Sequence, residues 1–334
     1  VSRVAVYGAT GFIGTACAHA LRHAGHDVVA RTARRLWVAP EDLAGSPAAG
    51  HRPFLDEVRA ELDGVDAVVN AAGLATSAAS RTPALVGANA AWPRLLADAC
   101  ERARVPRLVH VSTAAVQGRA PRLDESLDYA PVTPYARAKV LGEQLLRDAA
   151  ARGTVATTVY RPPSVHGPGR RMTSDFAAFC RRFPLVTCAD GSQPVPVALV
   201  GNVGAALAEI VTADDAPLVV SHPYEGHTVR TLYETFAPGR PLRCLPAAAV
   251  GALLRAAEPT GSWLPPLGAL CRRAELMLLG QAQAPGWLAA RGFRLPLGQA
   301  AWDELATGLR GPVPRPRAAR GPCDTRDDTY RSPR

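Results

Sequence analysis

Lys139 is the sole lysine of this 334-residue chain; every other one of its 38 basic side chains is arginine. In a composition this biased, a retained lysine marks a place where a compact ammonium is wanted and a planar guanidinium is not. Four residues earlier stands Tyr135, in the stretch Thr133-Pro134-Tyr135-Ala136-Arg137-Ala138-Lys139. Residues i and i+4 share one helix face, so phenol and ammonium can converge on one point. A positive charge nearby lowers a phenol's pKa, which suits Tyr135 to proton transfer at a carbonyl. Alone, the pair fits a solvated helix face equally well, and the surrounding chain decides between the two.

Upstream, Gly8-Ala9-Thr10-Gly11-Phe12-Ile13-Gly14 follows a short β-branched run and opens an apolar helix. Glycines so placed allow a tight turn, let backbone N–H groups approach a pyrophosphate and permit close helix–strand packing. A dinucleotide is the expected ligand. About 20 residues on, where an acidic residue would hold the ribose 2′-hydroxyl of NAD, the chain has Arg31, then Arg34 and Arg35. Arginine can grip a 2′-phosphate bidentately, so NADP(H) is the preferred cofactor and NAD(H) the alternative. Asn70-Ala71-Ala72-Gly73 is a small-residue turn that leaves room for a cofactor across strand ends. Ser112 and Thr113 place two hydroxyls at the carboxyl end of a buried strand, where open α/β sheets bind their ligands.

Composition narrows the class. Apolar content of 48% with 20% charged residues suits a soluble globular chain, and no apolar run is long enough to span a membrane. The first residues lack a leader pattern, so no secretory signal is expected. Seven scattered cysteines without a Cys-x-x-Cys pair argue for reduced thiols in the cytoplasm, with no zinc site or disulfide framework. The net charge of +9 comes from dispersed arginines with only 6% aromatics, which does not describe a nucleic-acid surface. A polar small molecule is the expected partner.

Strands are expected at Arg3–Tyr7, Asp27–Arg31, Val65–Asn70, Arg107–Val111 and Val155–Tyr160. Helices are expected from the glycine turn to His23 and over Val58–Leu62, Leu85–Ala103 and Tyr135–Ala151. Residues 36–54 read as a loop with a short strand near Arg52–Leu55. This alternation predicts an α/β fold, a Rossmann-type doubly wound parallel sheet. Residues 1–165 form the dinucleotide-binding domain. Residues 166–310 form a smaller, mostly helical substrate lobe with some elements returning to the sheet, and 311–334 form a disordered tail.

In order and spacing, Gly8–Gly14, Asn70–Gly73, Asn89, Ser112-Thr113, Tyr135–Lys139 and 161–169 resemble the extended short-chain dehydrogenase/reductases, the NAD-dependent epimerase/dehydratase family. The resemblance implies that Gly8, Thr10, Gly11, Phe12, Ile13 and Gly14 bind the pyrophosphate. It implies that Ala71, Ala72, Gly73, Asn89, Pro162 and Ser164 also contact the cofactor. It makes Tyr135 the acid/base, Lys139 the group that holds the nicotinamide ribose, and Thr113 the hydroxyl partner of Tyr135. Thr113, Ser164 and Arg170 fall at substrate positions, and no metal is implied. A homodimer through the Leu85–Ala103 and Tyr135–Ala151 helices is also implied, although their apolar faces suit an internal core equally.

Three departures bear on the reaction. Ala114-Ala115 replace the acid pair that the family's dehydratases carry after the Ser/Thr, which argues against dehydration. Gln117 replaces a tyrosine, a packing change, and Val195 stands where relatives place an arginine on the substrate diphosphate. Asn202 is expected to cap the following helix. The expected activity is 4-keto reduction of a nucleotide-linked deoxysugar. An NAD-retaining epimerase is the nearest alternative, and a non-catalytic cofactor sensor on the same fold is the third.

Overall fold

The valine-rich runs of the first half pair into one parallel sheet in a computed structural model that describes residues 1–44, 52–75, 82–246, 250 and 274–310. The chain runs β1 (Arg3–Tyr7), α1 (Phe12–His23), β2 (Asp27–Arg31), α2 (Arg52–Glu61), β3 (Ala67–Asn70), α3 (Pro83–Val86), a π-helical turn (Gly87–Ala91), α4 (Trp92–Ala103) and β4 (Arg107–Val111). It continues through β5 (Arg122–Leu123), α5 (Pro134–Ala150), β6 (Ala156–Arg161), β7 (Ser164–His166), α6 (Arg171–Arg182), β8 (Leu185–Cys188), β9 (Val197–Leu199) and α7 (Val200–Thr212). Then come β10 (Val219–Ser221), α8 (Val229–Phe236), β11 (Leu242–Leu245), β12 (Ala282–Gln283), α9 (Trp287–Ala290) and α10 (Gln299–Gly308).

The large sheet has six strands in the order β10-β6-β4-β3-β1-β2, every pair parallel. One face packs on α1 and α7, the other on α2, α4 and α5. Apart from the more exposed edge strand β2, the strands are buried on both sides, and β1, β3 and β4 read as mostly apolar runs, as parallel strands do. After β2 the chain crosses to the other side of β1 to make β3. That reversal opens a crevice at the carboxyl ends of β1 and β3, the usual ligand position in such sheets.

Local chemistry sets the helices that matter. Thr133 caps α5, its hydroxyl accepting from Ala136 N at 3.1 Å, with Pro134 on the first turn. A Cβ on Gly142 would collide with the Asn89 carbonyl oxygen, so α5 reaches the π-helical turn closely only because residue 142 is glycine. The strand expected near Arg52–Leu55 is instead the start of α2. Pro53 sits on its first turn, and Leu55, Val58 and Leu62 all face the core. The expected long helix over 85–103 is helical throughout and carries a π-helical turn between α3 and α4.

Beyond β7 the chain builds two small parallel pairs, β7 with β9 and β8 with β11, against α6, α8 and α10. Their core includes Val195, Val197, Leu232, Phe236 and Trp302. α7 and β10 return to the large sheet. Asn202 does not cap α7: the helix starts at Val200, and the Asn202 amide instead bonds Glu225 Oε1 and both backbone polar groups of Leu297, each at 2.9 Å. Leu95 and Leu96 of α4 and Leu146 of α5 are buried within the chain. The expected tail, 311–334, lies outside the described residues. Among the described residues no helix is long and apolar enough to cross a membrane, and no group of three His, Cys, Asp or Glu could hold a metal.

Candidate active site

The glycine turn after β1 is shaped by backbone contact. Gly8 has φ +80°, and a Cβ there would stand 2.8 Å from Ala72 N. A Cβ on Gly14 would collide with the Gly8 carbonyl oxygen. Gly11, extended, precedes the first residue of α1 and donates its N–H to Gly8 O at 2.9 Å. The turn therefore presses against the Ala71-Ala72 turn after β3, with the positive end of α1 above it. Thr10 is exposed at the tip, whereas Ile13 packs into the core under α1.

Next along the crevice stands Lys139. It is buried, and its Nζ donates to the Val111 carbonyl at the end of β4 at 2.8 Å. A Cβ on Gly73 would come within 3.3 Å of that Nζ and 2.9 Å of Asn89 Oδ1. Gly73, Asn89 and Lys139 thus share one corner. Asn89 is itself fixed, donating to Leu74 O and Leu85 O and accepting from Leu74 N. Burial pushes Lys139 down to about 8, against the attraction of Glu143. Burial pushes the Tyr135 phenol up to about 12, and the Arg170 cation acts in the opposite direction. Thr113, two residues past Val111, accepts from Ala115 N at 3.2 Å, which leaves its hydroxyl proton to donate. Pro162 accepts from Ala114 N at 2.9 Å, joining the ends of β4 and β6.

From the second lobe, the Arg170 guanidinium lies 4.9 Å from the centre of the Phe12 ring, and Gly167 packs on the same ring. Ser164 and His166 are paired at 3.3 Å, with His166 boxed in by Phe176, Phe236 and Trp302. Val195 is buried in that lobe's core.

At the end of β2 the arginines already have partners. Arg31 donates to Glu61 O at 3.1 Å, and Arg34 pairs with Glu57 at 3.3 Å and with Glu61. Arg35 is exposed and has no ion pair among the described residues.

Behind the site, Trp92, His110 and Glu143 were not singled out from sequence, and they engage Asn70 and Ser112, which were. Asn70 Oδ1 accepts from Ala72 N and Trp92 Nε1, so its amide nitrogen must face His110 Nδ1, 3.0 Å away. His110 is thus neutral with its proton on Nε2, and burial and the Lys139 charge hold its pKa well below the usual range. Ser112 donates to Glu143, and Glu143 pairs with Arg161. Glu143 could have been found, because it continues the Tyr135–Lys139 stripe by one more turn.

A glycine-turn dinucleotide cradle, a Tyr-x-x-x-Lys helix and strand-end hydroxyls together define the extended short-chain dehydrogenase/reductase class of enzymes. The chain belongs to the NAD-dependent epimerase/dehydratase family, whose model matches residues 4–219. It is 34% identical over 176 residues to a UDP-glucose 4-epimerase of Azospirillum brasilense, covering 49% of each chain. It is 30% identical over 217 residues to a 2-alkyl-3-oxoalkanoate reductase of Stenotrophomonas maltophilia (strain K279a), covering 63% of this chain and 64% of the relative. The matched region thus spans about half of one relative and under two thirds of the other. Among solved structures, a UDP-glucose 4-epimerase of Thermus thermophilus in complex with NAD superposes with a TM-score of 0.63 at 20% identity, covering 93% of this chain and all of that one. MoeE5 in complex with UDP-glucose and NAD gives 0.60 at 22% identity, covering 92% and 98%. Both are likenesses of fold.

The residues present fit the dinucleotide that the family implies. Glycines at 8, 14 and 73 let the turns after β1 and β3 and the Lys139 corner approach one another where a Cβ would collide, and Lys139 has donors left after bonding Val111.

The buried histidines make a pH prediction. Burial, Arg170 and His227 push His166 down to about 4. Between about pH 6.5 and pH 4 the unfolded chain binds a proton that folded His166 does not, so stability falls as pH drops. The His166 share is on the order of 3 kcal/mol and levels off below about pH 4. Urea unfolding from pH 7 to pH 4.5 should show this loss, and His166→Gln should flatten the slope.

Proposed function

We propose that this chain is an NAD(P)-dependent oxidoreductase acting at a keto or secondary alcohol carbon, and that its reaction is 4-keto reduction of a nucleotide-linked deoxysugar. The observation that carries the reading is the stripe of Tyr135 and Lys139 on α5, with the ammonium tethered to Val111 in the corner made by Gly73 and Asn89. When bound, the nicotinamide group supplies the hydride donor or acceptor.

The chain's own residues divide the remaining work. The turn Gly8, Thr10, Gly11, Phe12, Ile13, Gly14 holds the pyrophosphate at the start of α1. Ala71, Ala72, Gly73 and Asn89 border the ribose side, and Pro162 and Ser164 the nicotinamide side. Lys139 donates to ribose hydroxyls and stabilises the Tyr135 phenolate as it forms. Tyr135, protonated at neutral pH, gives its proton to the carbonyl oxygen as that carbon is reduced, and Thr113 donates a hydrogen bond to the same oxygen. Arg170, whose charge reaches Tyr135, offers the cation that Val195 does not. Ala114 and Ala115 carry no acid or base, which speaks against dehydration. The Stenotrophomonas relative, a reductase, supports net reduction. The Azospirillum relative supports the second reading, an NAD-retaining nucleotide-sugar epimerase. The scattered thiols, five of them free among the described residues, are the ground for placing the protein in the cytoplasm.

Tyr135→Phe should reduce turnover at least a hundredfold while dinucleotide binding persists, the range in which a proton-transfer group contributes. Full turnover in that variant overturns the catalytic assignment. Stoichiometric consumption of reduced cofactor marks the reductase, and turnover without net consumption marks the epimerase.

We infer NADP(H) as the preferred cofactor from the excess of arginine at the end of β2. A 2′-phosphate there would draw Arg34 away from Glu57 and Glu61, so the preference leans on exposed Arg35. Fluorescence titration should give tighter binding for the phosphorylated cofactor; tighter NAD binding contradicts it.

A further inference from the structure

An ammonium taken out of water needs a counter-charge or a full set of acceptors. Lys139 has the Val111 carbonyl in front of it. One turn further along α5 stands Glu143, equally buried, so Tyr135, Lys139 and Glu143 make a stripe at i, i+4 and i+8.

Glu143 is held from the ends of two strands. Ser112 Oγ, past β4, donates to its Oε1. At the end of β6, Arg161 Nε lies 3.2 Å from both carboxylate oxygens, and Arg161 Nη2 donates to Oε2 at 2.6 Å. The remaining arm, Nη1, donates to Ser126 O at 2.7 Å, and the guanidinium lies 5.5 Å from the centre of the Tyr129 ring. Both charged side chains are 1% exposed. A pair this dry is weak evidence for stability, because apolar replacements of similar volume often do as well. What it does achieve is to hold a fixed carboxylate behind the one ammonium of the site.

We propose that Glu143 is a positioning residue: locked by Arg161 and Ser112, its carboxylate keeps Lys139 in the ammonium form and, through Lys139, sets the proton affinity of Tyr135. This rests on the roles given above to Tyr135 and Lys139. The groups around Lys139 leave the task to Glu143. From β4 come the Val111 carbonyl and His110, which is neutral; Asn89 Oδ1 stands in the corner with Gly73; Tyr135 and Glu143 lie on its own helix. Burial works against the ammonium, and the Glu143 charge works for it.

Because the chain has one lysine, protein made with lysine carrying 13C at Cε gives a single side-chain NMR signal that titrates with Lys139. The intact protein should be compared with Glu143→Asp, Glu143→Gln, and the double variant Glu143→Gln/Arg161→Gln, which leaves no buried cation unpaired. Glu143→Gln, which leaves the Arg161 cation in place, should titrate roughly one pH unit or more below the intact protein; the double variant, which loses both charges, should fall between the two, and the Asp variant should stay closer to the native value. The alkaline limb of turnover should move with the signal. If the single variant does not fold, the double variant decides. A folded Gln variant whose lysine titrates as in the intact protein overturns the proposal. The titration needs no turnover, so its result is separate from that of Tyr135→Phe.

Discussion

Lys139 carries a charge into the interior, where an isolated ammonium would cost several kcal/mol, and the surrounding chain is arranged around that cost. Val111 ends β4 with its carbonyl on the ammonium, and the turn after β3 narrows to Gly73 beside it. His110, the nearest titratable group on β4, is fixed as the neutral tautomer by Asn70, whose amide is oriented in turn by Trp92 and the Ala72 backbone. The burial of this one charge therefore constrains β3, β4, α5 and the π-helical turn together.

Close backbone approach makes this arrangement possible. α5 can sit against the π-helical turn because residue 142 has no side chain, and the β1 and β3 turns meet because residue 8 has none. A π-helical turn inserted in an otherwise α-helical run often marks a functional position. Here it presents Asn89 to Leu74 and to the Lys139 corner. The second lobe reaches the crevice through Arg170 on Phe12, so the glycine turn and the second lobe share one aromatic ring.

Much of this was legible in the chain itself. The large sheet follows from apolar runs, Gly73 from a small-residue turn at a strand end, Lys139 from its pairing with Tyr135, and Asn89 from the family resemblance alone. What was missed has physical reasons. Arg52–Leu55 looked like a strand because Phe54-Leu55 is a short apolar run; the helical spacing of Leu55, Val58 and Leu62 outweighs it. Asn202 is a good capping residue by type, but its amide is taken by Leu297, 95 residues away in sequence. The partners of Arg31 and Arg34 lie on α2, beyond a loop with no clear pattern. Glu143 continues the Tyr135–Lys139 spacing, but its partners Arg161 and Ser112 come from other strands and only the folded chain brings them together.

In the proposed reaction burial raises the Tyr135 phenol and positive charge brings it back down when the cofactor binds, and a tyrosinate titration tests this most directly. The ultraviolet difference between the protein and its Tyr135→Phe variant should place the free phenol near the raised value that burial imposes, about 12. Saturation with the oxidised dinucleotide, which brings a second positive charge beside Lys139, should lower it by roughly one to three pH units. A phenol that titrates at the same pH with and without the dinucleotide would contradict the account.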